Sequence, residues 1–376
     1  METKEETKVG EELDENKCPQ PEKNPLNAKK IALFVLYGLV AALLLITVLS
    51  FNDLPKIFEQ LKTVDYTCVL YAIFFILAYL FTYPLSLCIL TRAHGTRISF
   101  STTYSIAMTE HFFNGITPLA TGGQPFQAHS YSRAKVSISE STGLLLTNLL
   151  IYMAVTTGFS FTGLFFFDTL TANIDRAWIP IIIIGYTLNF SVLVTIVFLG
   201  VSTRLRHGLM RCIHFFAKFK LFRFLNAKAD GIEEYFVSVQ TAFSELVRKK
   251  GHFALAFLTK IISFAFFYAS TYFILMAMGV DVSISNMFMI LAGTSFAITA
   301  VGFIPTPGAS GGVEGSAGQV FKCIIIYLSP ALAAVAPAMA NGVMLIWRLI
   351  SYYLVMAISL AFYIGLEFYF AKKNKE

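Results

Sequence analysis

Charge is scarce in this chain. Only 14% of its 376 residues are Asp, Glu, Lys or Arg, against 56% hydrophobic, and the mean hydropathy is +0.65. Soluble domains carry about a quarter of charged residues, so this composition excludes one and implies a polytopic membrane protein. Cysteine is scarce too: Cys18, Cys68, Cys88, Cys212 and Cys323 show no CxxC spacing. They read as small hydrophobes, so neither disulfides nor a metal is expected. Residues 1–30 mix Glu and Lys, without an apolar core or a small-residue cleavage pattern before Ile31. They read as a solvated tail and not as a signal peptide. No motif asks for a cofactor. The 37 Phe and 17 Tyr are assigned to lipid contact and interfacial belts.

What is present is a series of apolar runs near the roughly 20 residues that span a bilayer. Ile31 to Ser50, Tyr66 to Leu90, Ser141 to Phe167, Trp178 to Val201, Phe253 to Gly279 and Gly342 to Gly365 read as full spans. Two others, 99–132 and 285–328, are interrupted by one repeated phrase. It occurs as Pro118-Leu119-Ala120-Thr121-Gly122-Gly123 and as Pro307-Gly308-Ala309-Ser310-Gly311-Gly312, the second with Pro305 just before it. In hydrocarbon every backbone polar group must be paired, so non-helical backbone survives only against protein or a wet cavity. Each interrupted run is therefore expected to form two half-length helices, hinged at Pro118 or at Pro305 and Pro307, in a re-entrant hairpin. Two such breaks in two halves point to a transporter's substrate site.

Basic residues orient the chain. Arg204, Arg206, Arg211, Lys218, Lys220 and Arg223 lead a Lys/Arg-rich segment over 203–251, which the positive-inside rule makes cytoplasmic. Leu205, Leu209, Ile213 and Phe216 recur between these charges at helical spacing. The segment reads as an amphipathic surface helix on anionic headgroups, or simply as a topology determinant. Lys29 and Lys30, and Lys372, Lys373 and Lys375, put both termini on the same side. The count closes only if one hairpin enters from the cytoplasm and the other from outside. The expectation is an all-α polytopic membrane protein with six full spans and two re-entrant helical hairpins in inverted repeat. It comprises a tail over 1–30, one transmembrane domain over 31–367 and a basic tail over 368–376.

A helix start exposes unpaired N–H groups with partial positive charge. Gly122 and Gly123, opening the helix of Gln124, and Gly311 and Gly312, opening that of Glu314, would make two anion-attracting ends, and phosphate is the natural guest. Thr117, Thr121, Thr306 and Ser310 add hydroxyls and Asn114 an amide, unless these serve as local turn caps. Arg348 sits in an apolar run at a cost of at least about 2.5–3.5 kcal/mol, so it needs a partner or a wet cavity. Glu314 is the expected partner, either in a fixed ion pair or in exchange with a substrate that Arg348 holds by its phosphate. Glu110 and His111 are weaker candidates, placed near the cytoplasmic interface.

These residues resemble the membrane domain of lysylphosphatidylglycerol synthases, the flippase domain of multiple peptide resistance factors. The match runs over 31–365 and is carried by Asn114 to Pro118, Gly122 to Pro125, Ile304 to Gly308, Gly311 to Glu314 and Trp347 to Tyr353. The resemblance implies a bacterial cell-membrane protein that moves an aminoacylated phospholipid between leaflets, in the context of antimicrobial peptide resistance. Membrane phospholipids are the expected partners; a homo-oligomer and a separate aminoacyltransferase are also admitted, and nucleic acid is not expected. Gln124 stands where many relatives look to have a carboxylate. The chain stops shortly after its last span, so transferase chemistry is expected to be absent and no catalytic residue is assigned. Two alternatives stand beside the flippase. One is a membrane subunit of a phosphatidylglycerol lysyltransferase; the other is an intramembrane serine protease using Ser310, whose GxSG-like context lacks a histidine in a later apolar span.

Overall fold

The computed structural model describes residues 62–201 and 243–373, with positions 204, 208, 211, 237, 240 and 241 between them. The N-terminal tail, the expected span Ile31 to Ser50, and Arg206, Lys218, Lys220 and Arg223 lie outside the described residues; Arg204 and Arg211 are exposed. All regular elements among the described residues are helical. Among the described residues five helices are long and apolar enough to cross a membrane: Tyr66–His94, Ile138–Thr171, Trp178–Thr195, Lys250–Ala277 and Ala336–Lys373.

The first of these is bent. α1 (Tyr66–Thr82) starts at Asp65, whose carboxylate accepts from the Thr67 N–H at 2.8 Å, and gives way at Tyr83-Pro84 to α2 (Leu85–His94). Pro84 has no N–H for the Leu80 carbonyl four residues back. The Tyr104 hydroxyl donates to that carbonyl instead, at 3.3 Å. α2 ends at Gly95, where φ is +88°.

α3 (Phe100–Ile116) and α4 (Gly123–Arg133) flank the first repeated phrase. α5 (Ile138–Thr162) opens on a reciprocal cap between Ser137 and Glu140 and passes through a 3₁₀ turn into α6 (Phe167–Thr171). α7 is Trp178–Val201 and α8 is Lys250–Ala277. α9 (Met287–Thr299) and α10 (Gly312–Leu328) flank the second phrase. α11 (Ala336–Arg348) leads through a wide π turn, Leu349–Leu354, into α12 (Val355–Lys373). α12 runs through the boundary expected at residue 367. Its last turns keep burying apolar side chains, Leu366 and Phe370, beside Leu87 and Tyr131.

α8 lies along α1, and aromatic rings interlock the two. Phe75 meets Phe273 at 4.7 Å and Phe266 at 5.6 Å, and Tyr79 meets Phe267 at 4.9 Å between centroids. Such pairs contribute about 0.5–1.5 kcal/mol each beyond area burial. The first broken pair packs on α2, α5 and α12; the second packs on α5, α6, α8 and α11. The apolar core, including Ile76, Ile274, Ile290, Phe321 and Val343, is continuous beneath the second pair.

Candidate functional site

The two repeated phrases open on the same turn and part at their fifth residue, where Gly122 has φ of -77° and Gly311 of +86°. Leu119 and Ala120 have φ of +57° and +52°, and Gly308 and Ala309, at the matching positions, have +59° and +51°. Two successive positive φ values make a turn of the primed kind, costly for Leu and Ala. The hydrogen bonds match as well. Thr121 N donates to the Pro118 carbonyl at 3.4 Å and Ser310 N to that of Pro307 at 3.2 Å. The Thr121 hydroxyl donates to Pro118 at 3.0 Å, and that of Ser310 to Pro307 at 2.9 Å. Strained left-handed residues persist only where the surroundings over-determine them.

The turns also meet. Pro118 and Pro307 pair in an isolated antiparallel bridge. Neither proline has an N–H, so the bonds of such a bridge fall to neighbouring residues. Breaks separated by half the chain thus occupy one place. Pro118, Leu119, Ala120 and Thr121 are exposed there, as are Pro305 and Gly311.

At the helix starts Gly122, Gly123 and Gly311 have capped N–H groups, and Thr117 and Asn114 act as the local caps held open above. Gly122 N donates to the Thr117 hydroxyl and Gly123 N to Asn114 Oδ1, each at 2.8 Å. Gly311 N donates to Glu314 Oε2 at 2.7 Å. Buried backbone donors must find acceptors, and side chains within reach supply them. The glycines serve that closeness. A Cβ on Gly123 would lie 2.6 Å from Asn114 Oδ1, whereas one on Gly311 would meet nothing within 4 Å. Open space therefore lies beside Gly311 alone of the two helix-start pairs. Thr306 donates to the Ser310 carbonyl at 2.8 Å, and Gln124 is half-buried beside the first cap.

Arg348 reaches this place from α11. Its Nε donates to Glu314 Oε1 at 2.8 Å and its Nη2 to the Gly308 carbonyl at 3.0 Å, and its guanidinium lies 4.6 Å over the Tyr352 ring. Both side chains of the ion pair are at most 4% exposed. Desolvating two such charges costs several kcal/mol each, offset only by good geometry and further hydrogen bonds. Both conditions hold here, since Glu314 spends one oxygen on Arg348 and the other on Gly311. Tyr352, in the π turn, donates to the Gly115 carbonyl at 2.8 Å. It ties the first break to the second through Arg348.

Glu110, one of the weaker candidates, is packed inside the protein. Glu110 is 7% exposed, enclosed by Tyr83 and by Gln127 of α4. Sequence reasoning passed over Lys260, which is 0% exposed, along with Tyr83 and Tyr352. A signal for Lys260 existed: it is the lone charge in the run Phe253 to Gly279, read as a plain span. Tyr352 lay within the segment Trp347 to Tyr353 that carries the resemblance, whereas Tyr83 carried none, being one among many aromatics.

Comparison with known proteins follows the same segments. The family model described as "Lysylphosphatidylglycerol synthase TM region" matches residues 32–359. The chain is 24% identical over 343 residues to a "UPF0104 membrane protein" of Methanothermobacter thermautotrophicus, covering 88% of this chain and 94% of that one.

Proposed function

Because the chain belongs to the lysylphosphatidylglycerol synthase transmembrane family, represented over residues 32–359, we propose that it carries a phospholipid between leaflets through a site where its two breaks meet. The lipid is an aminoacylated phosphatidylglycerol or a close relative. The observation that carries this reading is the pairing of Pro118 with Pro307 between two turns of identical left-handed form. Paired breaks near the bilayer midplane are how transporters of inverted-repeat design build a substrate site.

In this reading α3–α4 and α9–α10 are re-entrant hairpins. Their helices have 17, 11, 13 and 17 residues. At 1.5 Å per residue they reach about 16–26 Å, short of the roughly 30 Å hydrocarbon core. The basic residues around them favour opposite entry faces, with both termini cytoplasmic. The lipid phosphate docks beside Gly311 on the guanidinium N–H donors that Arg348 does not spend on Glu314 and Gly308. A cationic headgroup then competes for Glu314.

The experiment is lipid exchange in vesicles containing the full chain, with labelled lysylphosphatidylglycerol, phosphatidylglycerol and a polyprenyl phosphate as separate probes. At least one is expected to equilibrate between leaflets faster than in protein-free vesicles. If all three move no faster, the reading fails. We further propose that the chain is not an enzyme. The Ser310 hydroxyl is bonded to the Pro307 carbonyl, with no base on it among the described residues, which lends nothing to a protease. Lysine transfer to phosphatidylglycerol by the purified chain with charged tRNA would overturn this.

A further inference from the structure

The first hairpin holds a carboxylate in a manner unlike the second. Glu110 Oε2 accepts from the Tyr83 hydroxyl at 3.1 Å and from Gln127 Nε2 at 3.4 Å. Among the described residues no cationic nitrogen forms an ion pair with it, whereas Glu314 touches Arg348. The positive charge that acts on Glu110 comes from Lys260 of α8. Lys260 Nζ lies 3.5 Å from the centre of the Tyr83 ring and 3.3 Å from the Tyr83 carbonyl. Tyr83 therefore separates the two charges, with its hydroxyl on the acid and its face on the ammonium.

The surrounding groups are neutral at pH 7 or able to be so. His111 packs at a 50° tilt against the same ring, 4.4 Å between centroids, and its buried Nε2 has no hydrogen-bond partner among the described residues. Tyr79 of α1 and Tyr152 of α5 lie within electrostatic reach of the acid, and Cys88 of α2 within that of Lys260. α12 meets α3 through Ser359, which bonds the Met108 carbonyl and the Phe112 N–H.

A purely structural role for two buried opposite charges is best served by direct contact, since only that offsets desolvation. Here contact is replaced by neutral spacers. Ionisable groups kept inside a membrane in this way mark proton or ion pathways. On the transporter reading above, we infer that Glu110 is a proton-binding site, with Lys260 as its counter-charge, that couples the first hairpin to the transmembrane proton gradient. Ionised, Glu110 of α3 holds Tyr83, at the junction of α1 and α2, and Gln127 of α4 on one oxygen by charge-assisted bonds. A proton arriving from one aqueous face neutralises the carboxylate and changes the site's charge from zero to +1. The bonds from Tyr83 and Gln127 then weaken to neutral strength, the hairpin loosens, and the proton leaves to the opposite face.

Two measurements on the full chain test this. The first is infrared spectroscopy during acid titration in detergent, which needs no lipid movement. A protonated-carboxylic-acid band is expected that Glu110→Gln removes and Glu314→Gln retains. Lys260→Gln should bring that band in at a pH at least one unit higher, a tenfold change in proton affinity. Absence of a Glu110-dependent band in wild type overturns the proposal, as does a midpoint that Lys260→Gln leaves in place. The second measurement is the vesicle assay under an imposed pH gradient. Wild type should shift the labelled lipid away from an even leaflet distribution, and Glu110→Gln should equilibrate it evenly. Fast lipid exchange that ignores the gradient in wild type overturns the coupling but keeps the transporter. A Glu110 band without any lipid exchange keeps the proton site and sinks the transporter.

Discussion

The Tyr352 hydroxyl donates to the carbonyl of Gly115 at 2.8 Å, across 237 residues of sequence, while its ring lies under Arg348 and against Gly308. One side chain in a π turn thus holds the end of α3 to the second break. π turns recur at functional sites because they widen the helix locally and redirect side chains. This one points Tyr352 between the two hairpins.

Gly308 has room for no side chain. A Cβ there would lie 2.4 Å from the Tyr352 hydroxyl oxygen and 2.5 Å from two ring carbons, at a φ of +59°. Gly308→Ala is expected to cost about 1–3 kcal/mol, the usual range for overpacking. Tyr352→Phe, which removes only the bond to Gly115, should cost about 0.5–1.5 kcal/mol. Thermal unfolding in detergent reads both; equal losses for the two variants would mean that the contact at Gly308 relaxes away.

Glu314 and Arg348 should behave as a unit. Removing one partner of a buried pair typically costs about 3–5 kcal/mol, because the other charge stays buried alone. Arg348→Ala and Glu314→Gln are each expected to lower the unfolding midpoint and impair lipid exchange, with the chain still inserted. The double variant should lose clearly less than the two losses combined. Additive losses would show that the pair is not coupled, and full exchange activity in Arg348→Ala would reduce Arg348 to packing.

Asp65 offers a pH test outside the spans. The Thr67 N–H bonded to its carboxylate holds it below its ordinary value of 3.8 in the folded chain. A carboxyl depressed by folding stabilises above its unfolded value, and that stabilisation disappears as pH falls through the folded one. Asp65→Ala should therefore unfold at a lower temperature than wild type near neutral pH. The gap should close as pH drops below 3.8. A gap that persists unchanged in acid would assign the cap to something other than the carboxylate.

Composition and run length made the membrane class and five of the described spans legible, since crossing hydrocarbon demands long apolar helices whatever they pack against. The breaks were legible for an equally local reason. Proline removes a donor and glycine admits positive φ, so Pro118 to Gly123 and Pro307 to Gly312 could not continue a helix. The need of Arg348 for an acid followed from the cost of an unpaired charge in lipid. Only the tertiary structure decided who answers each demand. Asn114 caps Gly123 from nine residues upstream, whereas Glu314 caps Gly311 from three downstream. Tyr83 stands between Glu110 and Lys260, which lie 150 residues apart in sequence. An orphan donor or a buried charge is written in local sequence, but its partner is chosen by distance in space, and that depends on how every helix packs.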